Sequence, residues 1–302
     1  MHMNDIQQVR AAPPVQPPWR AALRRFFRSP SARFAVALLA LLVVAAMTAP
    51  LIAPQDPYDL RQVSIIENEK PPGASSNDHA LTYYLGTDGA GRDVLSAILY
   101  GLRVSLVIGV TSALVALLIG TAVGLLSAWR GGRVDALLMR IVDVQLSLPT
   151  ILIALVLLAV LGQGADKTLL ALVLVQWAVF ARNVRGSALV ERSKDYVEAA
   201  RGQGLPAHRI MFRHVLPNCL APLIVTTTNQ MAAAITLEAT MSFLGIGLPQ
   251  TKPSLGLLIS NGFDYMFSNL YWISVFPGIA LVLLVVSISL VGDRLRVMLQ
   301  PD

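Results

Sequence analysis

Six apolar runs alternate with polar segments along this chain. The first covers 34–53 and is interrupted only by Thr48. Twenty helical residues rise about 30 Å, the thickness of a bilayer's hydrocarbon core. Pro50 and Pro54 close this run. The pattern predicts further spans at 104–128, 143–161 (with Pro149 inside), 168–184, within 219–248, and 272–291. In the second span, Gly109, Ser112, Ala113, Ala116, Gly120 and Gly124 recur every three or four residues. Such a small face lets another membrane helix approach closely. Between the spans the chain is polar. The Pro-rich start of the 1–33 tail cannot hold a helix. The basic, aromatic segment 19–33 suits a short helix lying on anionic lipid. Residues 93–103 put Val94, Leu95, Ile98, Leu99 and Leu102 on one helical face, as expected for a helix along the membrane surface. Segments 129–140 and 162–167 are predicted as short turns, and 249–271 as a loop with room for a short helix.

Composition agrees. The chain is 55% hydrophobic and 14% charged, with a mean hydropathy of +0.61. A soluble domain carries nearer a quarter charged residues. The net charge of +6 would suit nucleic acid, but the basic residues are sorted by side. Of 24 Lys and Arg, 18 fall on the side of the N-terminus and 6 on the other. The positive-inside rule therefore places both termini in the cytoplasm. A nucleic-acid partner is excluded on the same ground. Cys219 is the only cysteine, so no internal disulfide forms, and it is expected to be a small buried apolar residue. The four histidines, His2, His79, His208 and His214, are scattered over both sides, which leaves no catalytic or metal cluster. No lysine follows a glycine, so no phosphate-cradling P-loop is present.

The most specified polar stretch is 195–218. Asp195-x-x-Glu198 has capping-box spacing. Gly204 falls where a left-handed residue ends a helix, and Pro206 follows. Pro206 is predicted to open a second short helix carrying His208, Arg209, Arg213 and His214, which Pro217 then ends. Two starts and two stops in so short a stretch predict an elbow of fixed shape, a docking surface for a soluble partner.

E-A-A-x-x-x-G followed by I-x-x-x-H-x-L-P-N (Glu198 to Gly204, then Ile210, His214, Leu216, Pro217 and Asn218) resembles the coupling loop of ABC-importer permeases. G-T-D-x-x-G-R-D, from Gly86 to Asp93, is similar to the dipeptide, oligopeptide and nickel branch, as the C-type permease of the pair. The chain departs from that branch at Ala97, Leu255, Val297 and Gln300. The resemblance implies an all-α polytopic membrane protein with six transmembrane helices, the type I importer permease fold and a cytoplasmic coupling helix. It divides the chain into a tail (1–33), a first span (34–54), an external loop with a surface helix (55–101), the ABC transmembrane domain (102–292, coupling loop 192–217) and a cytoplasmic end (293–302). Implied partners are a homologous second permease, two cytoplasmic ATPase subunits, an external binding protein and the lipid bilayer of a bacterial inner membrane. ATP and Mg would be bound by the ATPases, leaving this chain no cofactor, no metal and no catalysis. Asp195, Tyr196, Glu198, Ala199, Ala200, Gly204 and His214 are the implied ATPase-coupling residues. The implied cargo is a di- or oligopeptide; nickel, glutathione or another small solute on the same machinery, or a secondary transporter, are the alternatives.

Asp143 and Glu238 are the acids inside predicted spans. Ionisable groups there are costly and mark function or pairing. Asp143 is expected to pair with Arg140. Glu238 either faces a substrate path or bonds a neighbouring hydroxyl. Gln176, Asn229 and Gln230 either line a polar path or bridge helices.

Overall fold

The computed structural model describes residues 26–59, 61–252 and 254–299. The expectations for 1–25 lie outside these residues. The fold is built from α1 (Pro30–Met47), α2 (Val94–Arg130), α3 (Gly132–Ser147), α4 (Thr150–Leu161), α5 (Ala165–Arg192), α6 (Asp195–Gly202), α7 (Ala207–Ile210), α8 (Leu216–Phe243), α9 (Leu255–Phe263) and α10 (Trp272–Leu299). A short turn of helix, Ala49–Ile52, follows α1, and a two-stranded antiparallel ribbon pairs Ala74–Ser75 with Thr82–Tyr83. Among the described residues, five helices are long and apolar enough to cross a membrane, or six if α3 and α4 form one span.

The spans depart from the expected outline in three places. Segment 94–103 is helical, but it is no separate surface helix. It is the first part of α2, whose 37 residues rise about 55 Å and outrun a bilayer core. The cause is the apolar face noted above: Val94, Ile98 and Leu102 are buried against α8, α9 and α10 rather than laid on lipid. Segment 129–140 is no turn either, because α3 begins at Gly132. Pro149 does not sit inside a continuous third span. The chain breaks at Leu148 and Pro149, and α3 and α4 meet at 90°. Proline biases its predecessor away from helical backbone, and Leu148 adopts φ −93°, ψ 142°.

The loop before α2 is locked to the helical body. Asp93 caps α2, its carboxylate accepting from the Ser96 amide at 2.8 Å and from Ser96 Oγ at 2.6 Å. Gln55 Oε1 accepts from the Asp93 amide at 2.8 Å, and Ser96 Oγ accepts from the Gln55 amide at 3.1 Å. Asp88 holds Arg92 at 2.8 Å, and Trp272 Nε1 donates to the Thr87 carbonyl at 3.2 Å. The G-T-D-x-x-G-R-D stretch thus joins the loop to the starts of α2 and α10. Trp272→Phe keeps an aromatic side chain but removes the indole N–H and strands that buried carbonyl. We expect a loss of about 1–2 kcal/mol, visible as a lower unfolding temperature of the detergent-solubilised protein.

The small face of α2 packs as predicted. A side chain at Gly120 would come within 2.4 Å of Phe180 Cβ, and one at Gly124 within 2.5 Å of the Ala181 carbonyl, so α2 and α5 touch backbone to backbone. The segment expected as a loop at 249–271 contains α9, which is wedged among α2, α8 and α10 with Leu255, Leu257 and Leu258 buried.

Candidate coupling elbow and membrane cleft

α6 starts differently from its capping-box expectation. Lys194, not Asp195, occupies the extended N-cap position (φ −81°, ψ 147°), and no side chain caps the helix. The Lys194 carbonyl takes the first bonds, from the amides of Val197 (2.9 Å) and Glu198 (3.3 Å). Asp195 and Glu198 instead lie within the first turn, where their charge complements the helix dipole.

The stop is as expected. Gly204 has φ +75°. Its amide donates to the Arg201 carbonyl at 2.9 Å, and the Leu205 amide donates to the Ala200 carbonyl at 3.2 Å, which is a Schellman closure. Pro206 then opens α7. Pro217 does not end the second helix. Residues Met211–Val215 widen into a π turn, with the Leu216 amide bonding the Met211 carbonyl, and the helix runs on into α8. The wide turn and the proline's place in the first turn of α8 absorb its missing N–H. Asn218 Nδ2 serves the His214 carbonyl at 2.7 Å.

Val197 and Ile210 are 0% and 1% exposed and lock the elbow into a cluster with Leu125, Ala128, Val184 and Val215. Ala200 belongs to that buried seat. His214 is half-buried, with Nδ1 enclosed and unpartnered among the described residues. The outward residues of α6 include Asp195, Glu198 and Ala199, followed by Arg201 and Gly202, with Gly204 exposed just beyond. Tyr196 leaves part of its ring exposed but turns its hydroxyl inward. That hydroxyl donates to Glu191 at the end of α5 and accepts from Asn218 Nδ2 at 3.1 Å. Lys194 Nζ lies 2.7 Å from the same Glu191. Burial of the phenol, then the Glu191 carboxylate, pushes Tyr196 up to about 12. It is therefore a protonated donor at neutral pH. Because the folded value is raised, the contribution is fully present below pH 10.0 and fades as pH rises towards about 12. Tyr196→Phe should keep the elbow but lower its stability by about 1 kcal/mol, measurable as faster hydrogen exchange in α6. Val197 and Glu191 hold the elbow in place and lie outside the motif and the residues singled out from it, whereas Asn218 is part of the motif. The apolar i, i+3 pair Val197 and Ala200 was the available signal.

Ion pairs stiffen the same end. Arg185 grips Asp135 with two bonds, at 2.5 and 2.7 Å, joining α5 to α3. Arg192 donates to the Ala128 and Trp129 carbonyls at the end of α2. Asp143 pairs with Arg182, not with Arg140. Helices α3 and α5 pack together, which brings a residue 39 positions away within reach.

Deeper in the body, Glu238 is fully enclosed. Ser105 Oγ and Ser242 Oγ donate to its carboxylate at 3.0 and 2.8 Å. Through Ser105 it ties α2 to α8. Asn229 is exposed near Gly292 of α10. Gln176 and Gln230 do share a cleft, formed by α4, α5 and α8, with a volume of about 480 Å³. Of the four polar residues considered for a substrate path, these two are brought together. Among the described residues no cluster of His, Cys, Asp and Glu is arranged to hold a metal.

The structure is a helical membrane body with one broken span and a short helix seated against the ends of α2 and α5. The MetNI methionine ABC transporter, in inward-facing conformations, has a chain of the same fold: TM-score 0.55 at 20% identity, covering 68% of this chain and 96% of that one. Residues 120–302 match the binding-protein-dependent transport system inner membrane component, and 17–72 match the N-terminal TM domain of oligopeptide transport permease C. The chain belongs to the family of binding-protein-dependent transport permeases. Relatives include a permease protein assigned to a peptide transport system in Brucella suis biovar 1 (strain 1330), 43% identical over 92% of this chain and 90% of that one. The di/tripeptide permease protein DppC of Pseudomonas aeruginosa (strain UCBPP-PA14) is 35% identical over 99% and 98%. The dipeptide permease protein DppC of Haemophilus influenzae (strain ATCC 51907 / DSM 11121 / KW20 / Rd) is 35% identical over 88% and 89%.

Proposed function

We propose that this permease forms half of a peptide translocation path and is driven through its elbow by cytoplasmic ATPases. The observation that carries this is the elbow itself, an exposed, acid-tipped helix whose inner face is locked to the ends of α2, α5 and α8. Di- or oligopeptides are the cargo that the relatives' names support. A homologous second permease completes the path, an external binding protein delivers the peptide, and ATP and Mg sit on the two ATPase subunits. Asp195, Glu198 and Ala199 form the docking face. ATP binding closes the ATPase pair and drags α6 with it. Val197 and the Tyr196 hydroxyl pass that displacement to α5 and α8. The work comes from the different affinity of ATP for the two states of the complex.

Full reconstitution in proteoliposomes tests the proposal. Labelled dipeptide should enter only with ATP, both permeases, both ATPases and the binding protein, and the isolated chain should hydrolyse no ATP. Uptake that continues without ATP would refute it. Orientation is tested with Asn68→Cys and Gln203→Cys in a Cys219→Ala background. An impermeant thiol reagent outside spheroplasts should modify position 68 and spare 203; the reverse pattern would invert the topology. Gly204→Val tests the elbow's shape. A Cβ there meets nothing within 4 Å, so the cost is backbone strain alone, about 1–2 kcal/mol. Binding-protein-stimulated ATP hydrolysis should fall about tenfold while the permease pair still assembles.

A further inference from the structure

Gln176 is 3% exposed, and neither its amide nitrogen nor its amide oxygen has a hydrogen-bond partner among the described residues. An unpaired buried amide costs about 1–3 kcal/mol, a cost that leucine at this position of α5 would not incur. Gln176 lines the cleft between α4, α5 and α8, with both amide atoms enclosed behind its wall. The other polar groups on its wall are Thr150, Gln230, Thr236 and Thr240. The Thr236 and Thr240 hydroxyls donate to carbonyls of their own helix, which leaves their lone pairs available to a ligand. The break at Pro149 brings the first residues of α4 to the same wall, and the first amides of a helix have no partner within it. No acid or base lines the cleft. A wall of this kind offers hydrogen bonds without charge.

We propose that this cleft is a binding subsite for the main-chain amides of an extended peptide, with Gln176 as its recognition group. A primary amide has the donor and acceptor of a peptide bond, so it pairs with one as a neighbouring strand would. Because the wall is uncharged, the subsite accepts peptides irrespective of side-chain charge. The proposal rests on the peptide-import reading above.

The test uses the complete reconstituted importer and counts dipeptide imported per ATP hydrolysed. Gln176→Leu should lower that ratio about tenfold, the worth of one hydrogen bond in the path. Stimulated ATP hydrolysis should change by less than about twofold, since the elbow is untouched. Gln176→Asn should recover part of the loss. A second measurement places Thr236→Cys in a Cys219→Ala background, where unlabelled dipeptide should slow modification by a small thiol reagent. If wild-type complexes import no peptide, the peptide-import reading fails. If they do import peptide, and Gln176→Leu imports as much per ATP, the subsite is refuted and the reading stands. Dissociation of the permease pair in Gln176→Leu, without peptide protection at position 236, would show that the amide serves a subunit contact, and would also overturn the subsite.

Discussion

Valine at Gly256 is expected to abolish accumulation of the folded permease. A Cβ at this position would lie 2.2 Å from the Ala239 carbonyl oxygen and 2.5 Å from Ala239 Cα. Both are backbone atoms of α8, so no rotamer change makes room; the two helices must part. Helix α9 is pinned on every side. Ser254 caps it through the Leu257 amide, Ser260 donates to the Phe243 carbonyl at 2.7 Å, and Ser274 donates to the Ile259 carbonyl at 3.0 Å. A displaced α9 loses these hydrogen bonds, of which the Ser254 cap is buried. Overpacking and loss of a buried bond together exceed about 3 kcal/mol, a large share of a membrane protein's margin. Immunoblots of membranes should show at least a tenfold loss of protein, on the scale of that energy. Gly278→Ala on α10 is the control, because a Cβ there meets nothing within 4 Å. Wild-type levels of Gly256→Val would mean that α8 and α9 do not meet backbone to backbone.

Val197→Asp should separate assembly from coupling. Val197 is fully buried beneath the elbow. A carboxylate there has no partner within the apolar cluster, and burying it costs several kcal/mol. Helix α6 has only eight residues and cannot stay folded without its seat. The spans rest on other contacts, including the cluster that joins α1, α2, α8, α9 and α10. The variant should therefore reach the membrane and pair with the second permease. It should lose its ATPase subunits on purification, and stimulated ATP hydrolysis should drop to the basal rate. Glu198→Ala, an exposed change on the outer face, should weaken retention of the ATPases without abolishing it. Retained ATPases in Val197→Asp would place the docking surface away from α6.

Local chemistry made part of the elbow legible. Gly204 takes its left-handed backbone because only glycine does so without strain, and the following proline bars continuation; both facts belong to neighbouring residues. The capping box misled because its spacing is compatible with two helix starts, one residue apart. The helix takes the earlier one, with Lys194 as the extended N-cap residue. Proline misled twice, in opposite directions. At Pro149 it produced a full break, whereas Pro217 was absorbed by a π turn.

The apolar runs, the sorting of basic charge and the glycine stop were decided by the sequence alone. Each depends on length, composition or backbone sterics within a few residues. The 90° turn between α3 and α4, the pairing of Asp143 with Arg182, the bonding of buried Glu238 to Ser105 and Ser242 and the unpaired Gln176 amide were decided only by the tertiary structure. A side chain in a membrane span has no water to satisfy it, so its state depends on which distant helix happens to face it. Ser105 lies 133 residues from Glu238, and no local pattern reports that they meet.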